Sequence, residues 1–147
     1  MNSLRFFPDQ NKVCYVVYIS TGFKKYLIRA GFYYGNYDGQ MRPPTFDLQI
    51  DGNKWATIVT LLQQQPIFKE VIIMPLWNKT SICVAQTRDG EIPFIYSLEL
   101  IELPMILYRW MDPTYAMIKE YRWNFGANET VGCQRPELQP DPSSDQA

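Results

Sequence analysis

The chain has 147 residues with 46% hydrophobic and 20% charged content, which suits one folded domain with a sizeable core and excludes disorder throughout. A formal charge of −1, a pI near 5.4 and the lack of any Lys/Arg block leave no electrostatic footprint for nucleic acid or anionic lipid, so neither is an expected partner. Histidine is absent, which removes Ser-His-Asp and histidine-based zinc chemistry, and no cofactor is expected.

Residues 4–8 form a short lead-in and 9–12 a turn, before VCYVVYIS (13–20), whose β-branched and aromatic content predicts a strand. Tyr26, Ile28, Ala30 and Phe32 then alternate with Leu27, Arg29, Gly31 and Tyr33, the two-residue period of a strand with one apolar face. GNYDG (35–39) stops it with two glycines and with Asn and Asp side chains that bond local backbone, and Pro43-Pro44 stiffens the way back. Phe46, Leu48 and Ile50 alternate with Asp47, Gln49 and Asp51, and Asp51-Gly52-Asn53 reads as a tight turn into a strand opened by Trp55 and running on through 56–62. After the polar turn QQQP (63–66) come strands at 68–74, 80–87 and 94–101, separated by an exposed loop at 75–79 and a turn at 88–91. Seven short strands without a helix predict an all-β fold, an antiparallel β-sandwich. From Pro104 the character changes, and residues 132–147 run to Pro, Gln, Ser and Asp, a composition that predicts a poorly structured tail. No apolar run approaches the roughly 20 residues of a membrane span, and residues 1–8 lack signal-peptide character, so direct membrane insertion by this chain is not expected.

Sugars present a face of C–H groups and a rim of hydroxyls, so their binders pair aromatic rings with carboxylates or amides. Tyr34, Asn36, Tyr37 and Asp38 supply both kinds within five residues, and Asp89, in a second acidic turn, is placed to join them at one end of a sandwich. A plainer account stands beside this one. Either Tyr33 or Tyr34 must point inward because strand side chains alternate, Asn36 and Asp38 are turn-formers, and the scattered Trp55, Trp77, Trp110 and Trp123 serve packing. Cys14 and Cys83 are either two free thiols or a disulfide between strands distant in sequence, which would close a loop of roughly 70 residues and stabilise by about 4 kcal/mol. Cys133 falls in the tail and is incidental. Asn78 and Asn128 head N-glycosylation sequons, Asn-Lys-Thr and Asn-Glu-Thr. An enzyme is not expected: Asp38, Asp47, Asp51 and Glu99 show no spacing that selects a glycosidase pair, and there is no phosphate-cradling loop, Cys-x-x-Cys or kinase motif.

The string YLIRAGFYYGNYDG, followed by PPTFDLQIDGNKW, closely resembles the malectin-like domain found in the ectodomains of plant leucine-rich-repeat receptor kinases. LRFFPDQNKVCYVV before it and KEVIIMP and SICVAQTRDGEIPFIYSLELIEL after it extend the resemblance over roughly the first hundred residues, at the level of whole motifs. The resemblance implies a jelly-roll sandwich, a secreted and non-enzymatic sensing role, a carbohydrate ligand, and a family pattern in which Cys14 and Cys83 are matched. Animal malectin, a more distant likeness, contributes aromatic sugar contacts where Tyr34 and Tyr37 fall and an acidic contact where Asp89 falls. The family's first strand before Leu4 and a second, related domain after the connector are expected to be missing. The expected organisation is therefore a partial sandwich at 1–104, a connector at 105–130 and a disordered tail at 131–147, the mark of a truncated gene product. Three functions follow as expectations: a glycan-binding ectodomain fragment on the extracellular side of the plasma membrane, a peptide- or co-receptor-binding module using the same aromatics, and a truncated product without independent activity.

Overall fold

A computed structural model describes residues 4–120 apart from 23, 63 and 64. Trp123, Asn128, Cys133, the expected tail at 131–147 and the later part of the expected connector lie outside the described residues. The described residues form ten strands in order: β1 (Arg5–Phe6), β2 (Lys12–Tyr18), β3 (Lys25–Phe32), β4 (Thr45–Ile50), β5 (Asn53–Val59), β6 (Ile67–Ile73), β7 (Lys79–Gln86), β8 (Phe94–Ile95), β9 (Ser97–Leu103) and β10 (Met117–Ile118). No helix occurs among the described residues. Two four-stranded antiparallel sheets, ordered β10-β6-β3-β9 and β2-β7-β4-β5, stack face to face, and β1 pairs with β8 in a small third sheet.

The alternation that predicts the strands also decides what they bury. Tyr26, Ile28, Ala30 and Phe32 of β3 and Val71 and Ile73 of β6 meet Phe46, Leu48, Ile50, Ile58, Ile82 and Val84 of the other sheet in one core. Phe32, Phe46 and Phe94 close it with edge-on ring contacts, the Phe46–Phe94 centroids lying 5.4 Å apart. Gly31 is required by a close approach, since a Cβ there would lie 2.3 Å from Ser97 Oγ and 2.8 Å from the Phe68 ring.

Three details depart from the sequence expectation. The lead-in at residues 4–8 contains β1, which crosses to pair Arg5 with Ile95 and Phe6 with Phe94. The single strand expected at 94–101 is broken at Tyr96, so that β8 serves β1 while β9 serves β3, and Phe94 and Ile95 are both buried. Finally, β5 ends at Val59 because Thr60 turns its N–H and hydroxyl onto the Pro44 carbonyl, the hydroxyl at 2.7 Å.

Cys14 and Cys83 lie directly opposite each other in the β2–β7 register and form a disulfide. They share the outward face of their sheet, because Val13, Tyr15 and Val17 between and beside Cys14 are the residues that pack against the core.

After β9 the chain crosses to the opposite edge of the same sheet. The Lys25 ammonium, 4% exposed, donates to the Met105 carbonyl at 3.1 Å, β10 adds to the edge of β6, and the Lys119 N–H donates to the Glu70 carbonyl. Glu70 is buried and binds Arg29 through Nε and Nη2, both at 2.7 Å, and Lys119 at 3.2 Å. Two cations shared on one carboxylate offset the cost of burying its charge. Residues 105–120 therefore begin by docking back on the sandwich.

Candidate functional site

The loop after β3 is held from within. Tyr34 points inward and is 1% exposed, while Tyr33 points out and sets its ring edge-on to Tyr96. The Tyr34 hydroxyl donates to Asp38 Oδ1 at 2.5 Å and accepts from the Arg42 N–H at 3.2 Å. Asp38 Oδ1 also accepts from Gln40 N, and Asn36 Oδ1 accepts from Met41 N at 2.8 Å. Two successive turns, Tyr37 N to Tyr34 O and Gly39 N to Asn36 O, coil the chain around this hub. Gly35 at φ 53° and Gly39 at φ 70° make the coil possible without strain, and Asn36 at φ 52° is of the type that tolerates it.

Of the expected sugar contacts, then, Tyr34 is placed as support: its ring is enclosed and its hydroxyl is committed inside the loop. Asn36 and Asp38 are exposed and do both things, each spending one oxygen internally while Asn36 Nδ2 and Asp38 Oδ2 have no bond to described residues. Tyr37 is partly exposed, stacked edge-on against Tyr34 at 5.4 Å and Phe94 at 5.5 Å.

On its other side Tyr37 meets Phe6, 50% exposed, at 5.3 Å. Sequence reasoning missed Phe6, because only the pairing of β1 with β8 brings it here. Asp89 is exposed in the turn after β7, at the same end of the sandwich, since the Thr87 hydroxyl donates to the Thr45 carbonyl at 2.9 Å where the tyrosine loop rejoins β4.

Burial first, and the neighbouring Asp38 carboxylate and Tyr34 second, push the Tyr37 phenol up to about 12. Burial followed by the Asp38 hydrogen bond also raises Tyr34. An unfolded tyrosine ionises near 10, so between about pH 10 and 12 the folded chain holds a proton that the unfolded chain has lost. The stability Tyr37 contributes this way is complete below about pH 10 and disappears as pH rises to about 12. Spectrophotometric titration is expected to show late-ionising tyrosines, one fewer of them in Tyr37→Phe; an equal late amplitude in the two proteins would refute this environment.

Asn78 sits exposed on the loop before β7, as its sequon suggests, but Thr80 of the same sequon is 1% exposed and donates to Asp51 Oδ2 at 2.9 Å. Asp51 is exposed in its turn, as a turn residue is expected to be, and it is also a clasp: its other oxygen takes Ser81 N at 2.7 Å. Asp47 joins Lys54 at 2.9 Å and the Thr57 hydroxyl at 2.8 Å; burial pushes its carboxyl up, but these bonds and the Lys54 charge together outweigh it and hold the group below the usual range.

Two stacked antiparallel sheets, with aromatic and acidic side chains carried on the loops of one end, define a β-sandwich domain. The chain belongs to the malectin-like domain family, which it matches over residues 1–142. It is similar to the probable LRR receptor-like serine/threonine-protein kinase MEE39 of Arabidopsis thaliana, with 43% identity over 135 residues, 92% of this chain and 15% of that protein. A second Arabidopsis relative, the probable LRR receptor-like serine/threonine-protein kinase At1g05700, is 36% identical over 125 residues, 84% of this chain and again 15% of the relative. The uncharacterized protein At1g24485 of the same plant is 31% identical over 132 residues, 89% of this chain and 26% of its own length. No solved structure matches the chain. Its matched part is thus a small share of each receptor, and the kinase in their names belongs to other parts; a malectin-like domain is a binding module, not the catalytic one. No described helix is long and apolar enough to cross a membrane.

Proposed function

We propose that this chain is a non-enzymatic, carbohydrate-binding fragment of a receptor-kinase ectodomain, taking cell-wall or N-linked glycans at the loop end built by Tyr37, Asn36, Asp38 and Asp89, with Tyr34 as its internal brace. The observation that carries the reading is the Phe6–Tyr37 ring pair beside the uncommitted Asn36 Nδ2 and Asp38 Oδ2: a platform for a sugar's C–H face, flanked by a donor and an acceptor for its hydroxyls. Because Tyr34 and the turns fix this loop, little ordering entropy opposes binding. The Cys14–Cys83 bridge and the exposed Asn78 support an oxidising, extracellular setting with a glycan on Asn78. Asn128 is proposed as a second acceptor.

A glycan array probed with the whole chain tests the reading. Tyr37→Ala is expected to weaken any hit by about tenfold or more, since loss of one ring platform is worth about 1–3 kcal/mol. Asp89→Asn is expected to do so only for ligands reaching the second turn. An array without hits from a folded sample would sink the proposal and turn attention to a protein ligand. The observation favouring that second reading is the exposed run from Met105 to Trp110, apolar and aromatic except for Arg109, in which Ile106 is 75% and Trp110 85% exposed, a composition suited to a peptide or co-receptor contact.

A further inference from the structure

We propose that the end of the sandwich remote from the tyrosine loop holds a second, separate binding site, for an organic anion with an apolar body. A cavity of about 830 Å³ opens there, within the range of roughly 300–1,000 Å³ typical of small-molecule sites. It lies past the ends of β4 and β6, at Ile50 and Ile73, and beside the start of β7; the tyrosine loop joins the opposite ends of β3 and β4. Its inner wall is Ile50, Val71, Ile73 and Trp55, and its mouth is flanked by Trp77 and Tyr115, which are 75% and 71% exposed. Tyr115 arrives only because the chain after β9 returns to lay β10 on β6.

The polar groups of this cavity decide the class of ligand. Asp51 has committed both carboxylate oxygens, one to Ser81 and the other to the Thr80 hydroxyl. Lys54 is paired with Asp47. Lys79, exposed at the rim, has no ion-pair partner among the described residues, and the Trp55 indole N–H, on a side chain 6% exposed, has no hydrogen-bond partner. Asn53, also in the lining, spends its amide nitrogen on the Asp51 carbonyl, so the one cationic side chain of the lining left without an ion pair among the described residues is Lys79, set against aliphatic and aromatic walls. A neutral sugar, with hydroxyls to satisfy all round, is poorly served by such walls, whereas an apolar group bearing a carboxylate or sulfonate meets both features: its body displaces water from the walls and its charge reaches Lys79.

Two dyes with the same aromatic body separate the contributions. Fluorescence titrations of the whole chain use anilinonaphthalene sulfonate, which is anionic, and phenylnaphthylamine, which lacks the sulfonate. Lys79→Glu is expected to weaken the anionic dye by about tenfold while leaving the neutral dye unchanged. Tyr115→Ala is expected to weaken both. Trp110→Ala, which removes an exposed ring outside the cavity, should change neither. Failure of the folded chain to bind either dye, an equal response of both dyes to Lys79→Glu, or a Trp110→Ala effect as large as that of Tyr115→Ala would overturn the site. None of these results bears on the glycan reading, which rests on the other end of the molecule.

Discussion

Phe94→Ala is expected to destabilise the chain by about 3–5 kcal/mol, the usual cost of emptying a buried aromatic site. The ring is 0% exposed and touches the rings of Phe32, Tyr34, Tyr37 and Phe46, so its removal opens a void that no single neighbour can fill. Phe94 also stands where β8 meets β1, and Phe6 is its register partner. The substitution is therefore expected to loosen Tyr37 and Phe6 as well as the core, and to lower both the denaturant midpoint and any glycan affinity. Phe94→Leu, which keeps most of the volume, is expected to cost less than half as much. A midpoint unchanged by Phe94→Ala would show that these rings do not form the packed centre described here.

Removing the Cys14–Cys83 bridge, by the double substitution to alanine, is expected to cost about 4 kcal/mol in the chain-entropy account, because the cross-link spans 69 residues of sequence. β2 needs it for a structural reason. It is an edge strand, hydrogen-bonded only to β7, with every second residue exposed and Val13, Tyr15 and Val17 alone facing the core. Urea unfolding of oxidised and reduced wild type and of the double variant checks this: the last two should coincide and lie well below the first. A reductant-insensitive midpoint, or three free thiols under denaturing non-reducing conditions, would remove the bridge from the account. The same site shows how much pairing matters, since the two sulfurs meet only because Cys14 and Cys83 fall opposite each other.

The strands around the tyrosine loop were legible in the letters. In β3 and β4 the two-residue period is a local property, and whichever sheet they joined, Ile28, Ala30, Phe46 and Leu48 had to share an inward face. Gly35 and Gly39 announced the loop between them, and both adopt the positive φ that only glycine takes freely. The resemblance to malectin-like domains was carried by the same motifs and agrees with the family match over 1–142.

The division of labour within the loop was not legible. Alternation required either Tyr33 or Tyr34 to turn inward, and the inward one, Tyr34, binds Asp38 and Arg42 together, so a residue expected as an exposed contact is enclosed beneath its own loop. Nor could the letters show Phe6 beside Tyr37, Tyr115 over the remote cavity, or Glu70 shared by Arg29 and Lys119. Each of these contacts joins segments tens of residues apart, and a local pattern states that a strand has two faces and two edges without naming the strand that will meet them. Periodicity and turn chemistry, being short-range, determined the strands and the loop; strand pairing, which trades chain entropy for distant contacts, decided which side chains remain free to bind.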